Sequence, residues 1–198
     1  ISREDFAATR SARMRGRLRP GSALARDELL LLALMASNNL AAAALARTYP
    51  GGTEAFVAAM NAEAARLGLN DTRFADATGL SSHNVSSAQD LARLVKAAHG
   101  HTLIREYSTR PSAHVRARGG TVGFNNTNSL VRSGSWDIEL SKTGYIAAAG
   151  RCLVMQMRVA SRDLVVILLD SWGKYSRIGD ARRIRKWLET AGAREPQG

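Results

Sequence analysis

Two short runs carry side chains that can do chemistry. Lys142-Thr143-Gly144 stands at the end of a predicted strand. A lysine beside a hydroxyl makes a cationic strand edge that can bind a carboxylate, and the glycine leaves room for a substrate backbone. Taken alone, the run is a strand-end turn. Ser37-Asn38-Asn39 lies between two apolar helical stretches and, taken alone, is a helix cap. From Ser37 to Lys142 the chain runs 105 residues, so only tertiary folding can unite the two.

Other candidates carry less. His99-Gly100-His101 has two imidazoles but no third ligand at a suitable spacing, so a helix-end pair is the better reading and no metal is expected. His83 and His114 have no nearby Asp or Cys that would suggest a triad. Cys152, beside Leu153 and Val154 in a predicted strand, reads as an inert buried thiol. As the single cysteine it excludes an intramolecular disulfide without fixing the compartment. Glycosylation patterns at Asn70, Asn84 and Asn125 occur at chance frequency.

The elements that must position these residues follow from the apolar pattern. A short helix and a turn are expected within residues 2–22, ending at Pro20-Gly21. Helices are predicted over residues 26–35, 40–47, 53–67 and 88–99, the third stopping at Gly68. Asp27 and Glu28 stand in a first turn, where the helix dipole favours acids. Residues 70–87 read as loop, and residues 100–135 as mixed, with short strands near 113–117 and 121–124. Strands over 138–145, 151–159 and 164–169 follow, with short turns at Ala149-Gly150 and Ser161-Arg162 that imply an antiparallel meander. A last helix is predicted over 177–190. Three strands behind so many helices leave the sheet undersupplied.

Composition sets the outer limits. The 198 residues can bury a sizeable core as one domain. Hydrophobic residues at 45% and charged residues at 23% exclude a wholly disordered chain. The longest apolar stretch, residues 29–36, is too short to span a membrane. The net charge of +11 comes largely from arginine, with lysine only at 96, 142, 174 and 186. Such a balance suits an anionic partner, but on charge alone a generic arginine-rich bias with a solvated basic surface is the preferred reading. Arg10, Arg13, Arg15, Arg17 and Arg19 lack interleaved aromatics, so a solvated helix face is preferred to a nucleic-acid site.

The order of the motifs and their flanks resembles a known family. Ser-x-Asn followed by Lys-Thr-Gly on a strand is two of the three motifs of penicillin-binding proteins and serine β-lactamases. The flanks are residues 29–47 and 54–68, Asn70-Asp71-Thr72-Arg73-Phe74, Thr78-Gly79-Leu80-Ser81, Ser86-Ser87-Ala88-Gln89-Asp90-Leu91, Asn125-Asn126-Thr127-Asn128 and the run from Lys142 to Val154. Together they resemble the low-molecular-mass penicillin-binding D-alanyl-D-alanine peptidases, peptidase S11, over almost the whole chain. Asn125-Asn126-Thr127-Asn128, Trp136-Asp137-Ile138 and residues 176–183 look most like the murein D,D-endopeptidase branch.

The resemblance implies an α/β fold, β-lactamase/D,D-peptidase-like, with an antiparallel sheet flanked by helices and residues 1–198 forming one domain. It implies a serine D,D-endopeptidase that cleaves D-Ala–diaminopimelate cross-links in peptidoglycan through an acyl-enzyme, without a cofactor. β-Lactams and peptidoglycan stem peptides are the implied ligands, and the periplasm is the implied location, with a signal peptide upstream. The alternatives are a D-Ala-D-Ala carboxypeptidase or a non-catalytic murein-binding fragment. By the family's pattern Ser37 relays the leaving-group proton, Asn39 orients the substrate amide, and Lys142 is the second lysine. Thr143 offers a hydroxyl to the substrate carboxylate, Gly144 leaves space, the Tyr145 N–H completes an oxyanion hole, and Arg177 holds a carboxylate.

The family's third motif, Ser-x-x-Lys, supplies the nucleophile and lies upstream of Ser-x-Asn. Nothing before Ser37 matches it. The literal match Ser171-Trp172-Gly173-Lys174 follows a strand near the C-terminus and reads as a coincidence. The expectation is that the nucleophile helix and the leading strands of the sheet are missing from this chain.

Overall fold

The apolar runs form two packed groups, one helical and one built on a sheet. A computed structural model describes residues 1–9, 18–117, 119–173 and 175–192. Of the predicted arginine-rich helix face from Arg10 to Arg19, residues 10–17 lie outside the described residues, as does Lys174.

The helical group begins with α1 (Arg3–Ala8), whose capping box pairs Ser2 and Asp5. In α2 (Arg26–Met35), Leu29, Leu32 and Met35 recur on one face and are buried together with Leu31. The α3 helix (Asn39–Arg47) presents small Ala41 and Ala44, which let it approach α2 closely. Next come α4 (Gly52–Arg66), α5 (Ala88–His99) and α6 (Thr102–Thr109). A hairpin of β1 (Ser112–Ala117) and β2 (Gly120–Asn125) closes this group, with Ala113, Val115 and Ala117 alternating into the core beside Phe124.

After α7 (Ser129–Ser133), the chain enters an antiparallel three-stranded sheet, β3 (Asp137–Ile146), β4 (Gly150–Val159) and β5 (Arg162–Ser171), in sequence order. Leu153, Met155 and Met157 pack with Val166 and with Leu130, Ile178, Ala181 and Ile184. The last three belong to α8 (Ser176–Gly192), which lies along β4 and β5. The expected α/β architecture with an antiparallel sheet flanked by helices is therefore present.

Two differences from the sequence reading have local causes. The β4–β5 turn is Ala160-Ser161, one residue earlier than predicted, because Val159 pairs with Arg162. Both turn residues have positive φ, 47° and 62°, the handedness that matches the twist of a two-residue hairpin. Helices α6 and α7 occupy a segment read as mixed. An eight-residue helix is marginal alone. Here tertiary bonds hold α6: Ser108 Oγ accepts the Ser141 N–H at 3.3 Å, and Asn126 Nδ2 donates to the Ser108 carbonyl at 2.8 Å.

Candidate active site

The connection between α2 and α3 sets the first half of the site. The N–H groups of Ala36 and Asn38 both donate to the Leu32 carbonyl at 3.1 Å, closing α2. Asn38, 1% exposed, caps α3 by accepting the Ala41 N–H at 3.0 Å. The capping falls to Asn38, so its neighbours keep their side chains free of that task. Ser37 is driven into the left-handed region, φ 49°, a conformation that costs a non-glycine residue energy. Asn39 Nδ2 donates to the Thr78 carbonyl at 2.9 Å. That carbonyl sits in a loop tied down by Asp76, which accepts the N–H groups of Thr78 and Gly79 at 3.2 and 3.1 Å.

The second half is β3. Lys142 Nζ donates to Ser37 Oγ and to the Thr143 carbonyl, the latter at 2.8 Å. Ser37 Oγ also lies 3.4 Å from that carbonyl. Burial, with the nearby Arg177 charge, pushes Lys142 down to about 8. A lysine with a pKa that low can both hold and release a proton near neutral pH, and Ser37 is the hydroxyl within its reach.

Beyond Lys142 the strand turns outward. Thr143 is 6% exposed and its hydroxyl donates to Thr127 Oγ1 at 2.6 Å. Thr127 is exposed, and its N–H donates to the Met35 carbonyl at 3.1 Å, so it bridges the end of α2 and β3. Gly144 is exposed. A Cβ there would meet the Cys152 Cβ at 3.7 Å, ordinary contact, so packing alone does not require glycine. Tyr145 is exposed, and the Arg151 guanidinium lies 4.4 Å over its ring. Arg177 reaches back from α8 to donate to the Gly144 carbonyl at 3.1 Å, while its buried Nε has no partner. Burial and the like charge of Arg151 push the Arg177 guanidinium below its ordinary value.

The fold thus brings Ser37, Lys142, Thr143, Gly144 and Arg177 into one connected set, with Tyr145 next along the strand. Asn39 flanks it, bonded to the loop rather than to Lys142. Thr127, Thr78 and Arg151 join this set without having been singled out from the sequence; the Asn125–Asn128 run was the available signal for Thr127. Ser171 does not join it as a nucleophile would. It ends β5 opposite Arg151, and α8 begins only at Ser176. Cys152 is half-buried rather than buried, because it alternates with the core residue Leu153 and faces away from it. His99 pairs with Glu139 at 2.8 Å and not with His101, and no cluster of three metal-binding side chains exists among the described residues.

Comparisons with known proteins bear on the family and the fold. The profile of the D-alanyl-D-alanine carboxypeptidase family, peptidase S11, matches residues 1–172. A D-alanyl-D-alanine endopeptidase of Pseudomonas aeruginosa is 48% identical over 190 residues, covering 93% of this chain and 61% of the relative. An Escherichia coli D-alanyl-D-alanine endopeptidase is 47% identical over 176 residues, covering 88% of this chain and 57% of the relative. The chain thus spans about three fifths of the length of these relatives. The Escherichia coli D-alanyl-D-alanine carboxypeptidase DacC is less similar, at 29%. Among solved structures, the Streptomyces K15 DD-transpeptidase superposes with a TM-score of 0.83 at 25% identity, covering 94% of this chain and 76% of that one. With its sequence profile, its relatives and its fold in agreement, this chain belongs to the D-alanyl-D-alanine carboxypeptidase family of peptidases, S11.

Proposed function

We propose that the chain forms most of one serine-type D,D-endopeptidase domain that cleaves D-Ala–diaminopimelate cross-links in peptidoglycan and is acylated by β-lactams. The observation that carries this reading is the bond from Lys142 Nζ to Ser37 Oγ, which joins two motifs 105 residues apart. The endopeptidase relatives support the substrate class.

In this reading a serine hydroxyl attacks the D-Ala carbonyl carbon, and its proton passes to a neighbouring base. The C–N bond breaks as Ser37, backed by Lys142, delivers a proton to the leaving amine. Water then attacks the acyl-enzyme, giving the free D-Ala carboxylate and restoring the serine. Asn39 orients the substrate amide. Thr143, with its partner Thr127, offers hydroxyl groups to a substrate carboxylate, and the cation of Arg177 adds to that attraction. Gly144 lets the substrate backbone lie against β3, and the Tyr145 N–H faces the developing oxyanion. The only Ser-x-x-Lys in the 198 residues is Ser171–Lys174, so the attacking serine is assigned to sequence outside them. The periplasm, where peptidoglycan lies, is the proposed location.

Fluorescent penicillin tests this. The full-length gene product labels covalently, the 198-residue chain does not, and Lys142→Ala abolishes labelling of the former. Labelling of the short chain would transfer the nucleophile to Ser171. No labelling of either would leave a murein-binding module without catalysis. Arg177 specifically favours a second reading, a carboxypeptidase acting on free D-Ala termini, because a guanidinium beside the strand edge suits a terminal carboxylate. Purified cross-linked and uncrosslinked muropeptides, offered to the full-length protein, separate the two activities.

A further inference from the structure

Arg151 has no part in the mechanism above, yet it stands beside the groups that do. It pairs with Tyr145 across β3 and β4 and with Ser171 across β4 and β5. Its guanidinium lies over the Tyr145 ring at 4.4 Å, a contact that engages the cation's charge without using its N–H donors. Lys142 lies in β3, Arg151 pairs with Tyr145 three residues farther along, and Arg177 donates to the Gly144 carbonyl between them at 3.1 Å, so Arg177 is repelled by Arg151 and in turn repels Lys142. Among the described residues none of the three has an acidic partner, and the Arg177 Nε is buried without any partner. The nearest acid in the strand order, Asp170, lies against Gly150 instead. Folding gains nothing from holding like charges together. A polyanionic ligand would neutralise them.

We infer that Arg151, held on the Tyr145 ring, is a second carboxylate-binding group beside Arg177, so that the site takes leaving groups bearing two or more carboxylates. The inference rests on the peptidase reading and deepens it. In a D-Ala–diaminopimelate cross-link the carbon that bears the leaving amine carries one carboxylate. The rest of the leaving stem carries others. D-Alanine released from a free terminus carries only one. Arg177 takes the carboxylate next to the scissile amide, and Arg151 takes one farther along the leaving fragment. A guanidinium suits this task because its planar fork binds a carboxylate through two parallel N–H bonds.

The test uses the full-length protein and two probes, the tripeptide L-Ala-γ-D-Glu-meso-diaminopimelate and D-alanine, with dissociation constants measured by calorimetry. Arg151→Gln is expected to weaken the tripeptide about tenfold more than D-alanine, the loss expected of one charge-assisted contact. Arg182→Gln, an equal change of net charge on the exposed side of α8, should leave the ratio as in the wild type. Arg151→Lys keeps the charge and loses the fork. It should fall between, and it serves in place of Arg151→Gln if that variant fails to fold. Equal losses for the two probes, or equal effects of Arg151→Gln and Arg182→Gln, overturn the inference. Penicillin labelling, run in parallel, separates the two ideas. Normal labelling with no selective loss removes the subsite and keeps the peptidase. Selective loss without labelling keeps the anion site and removes the peptidase.

Discussion

Lys142 Nζ donates to Ser37 Oγ across 105 residues of chain, joining β3 to the α2–α3 connection. The contact places a lysine of lowered pKa on a hydroxyl held in a left-handed conformation. Neither residue supplies core packing or a helix cap, so the pair can be altered with limited harm to the fold.

That separation gives the first prediction. Ser37→Ala in the full-length protein should lower penicillin acylation or cross-link hydrolysis by about 10²–10⁴-fold, the range for loss of a general acid–base group. Its thermal midpoint should move little. Asn38→Ala should do the reverse, costing about 1–2 kcal/mol of stability through the lost α3 cap. Kinetics and thermal denaturation of the two variants check the contrast.

Lys142 should titrate near pH 8, because burial and Arg177 both disfavour its charged form. With only four lysines in the chain, carbon-13 NMR at Cε follows it directly. Arg177→Gln removes one of the two causes and should move the titration upward. A midpoint unchanged by Arg177→Gln would mean that burial alone sets it.

The same shift predicts a pH dependence of stability. Between pH 8 and 10.5 the unfolded lysine still binds a proton that the folded one has released. Stability therefore rises with pH across that window, by about 3 kcal/mol at most. The cost of holding the charge is fully present below pH 8. Relative to Lys142→Met, which cannot titrate, the wild type should gain stability from pH 8 to 10.5 in urea unfolding. A constant difference would contradict the shift.

Asp90 is 1% exposed at the start of α5. Burial alone would raise its pKa, but the Asp71 N–H, the Thr72 hydroxyl and Arg93 together hold it below the usual carboxylate value. Asp90→Ala leaves these donors without their acceptor and should lower the urea midpoint. Its folded pKa is depressed, so its contribution is present above the unfolded value and is lost as pH falls through the folded one. Urea titrations at several acidic pH values, against Asp90→Ala, measure both.

Gly150 opens β4 at φ 64°, and a Cβ there would fall 2.9 Å from the Asp170 Cα. Gly150→Ala should cost about 1–3 kcal/mol and loosen the β3–β4 turn that leads to Arg151. A thermal midpoint equal to the wild type's would show that the turn relaxes without penalty.

Local pattern made much of this fold readable. Leu29, Leu32 and Met35 announce α2 by their spacing, and the alternation of Leu153, Met155 and Met157 announces β4. Both signals survive because each residue's burial follows from its own element's period. Helix α6 was not readable, since Ser108 is held there by Ser141 and Asn126, partners from elsewhere in the chain.

The same division governs the site. The sequence alone determined which residue types were available: a Ser-x-Asn, a Lys-Thr-Gly, and a single Ser-x-x-Lys in the wrong place. Only the tertiary structure decided their relations. It made Asn38 the cap and left Ser37 for Lys142, bonded Thr143 to Thr127, and aligned Arg151 with Tyr145 beside Arg177. The physical reason is that hydrogen bonds and charge repulsion depend on distances of a few ångströms, and chain separation carries no information about those. Lysine, serine and arginine announce a charge or a hydroxyl; what each one meets is fixed by the packing of elements far apart in the chain.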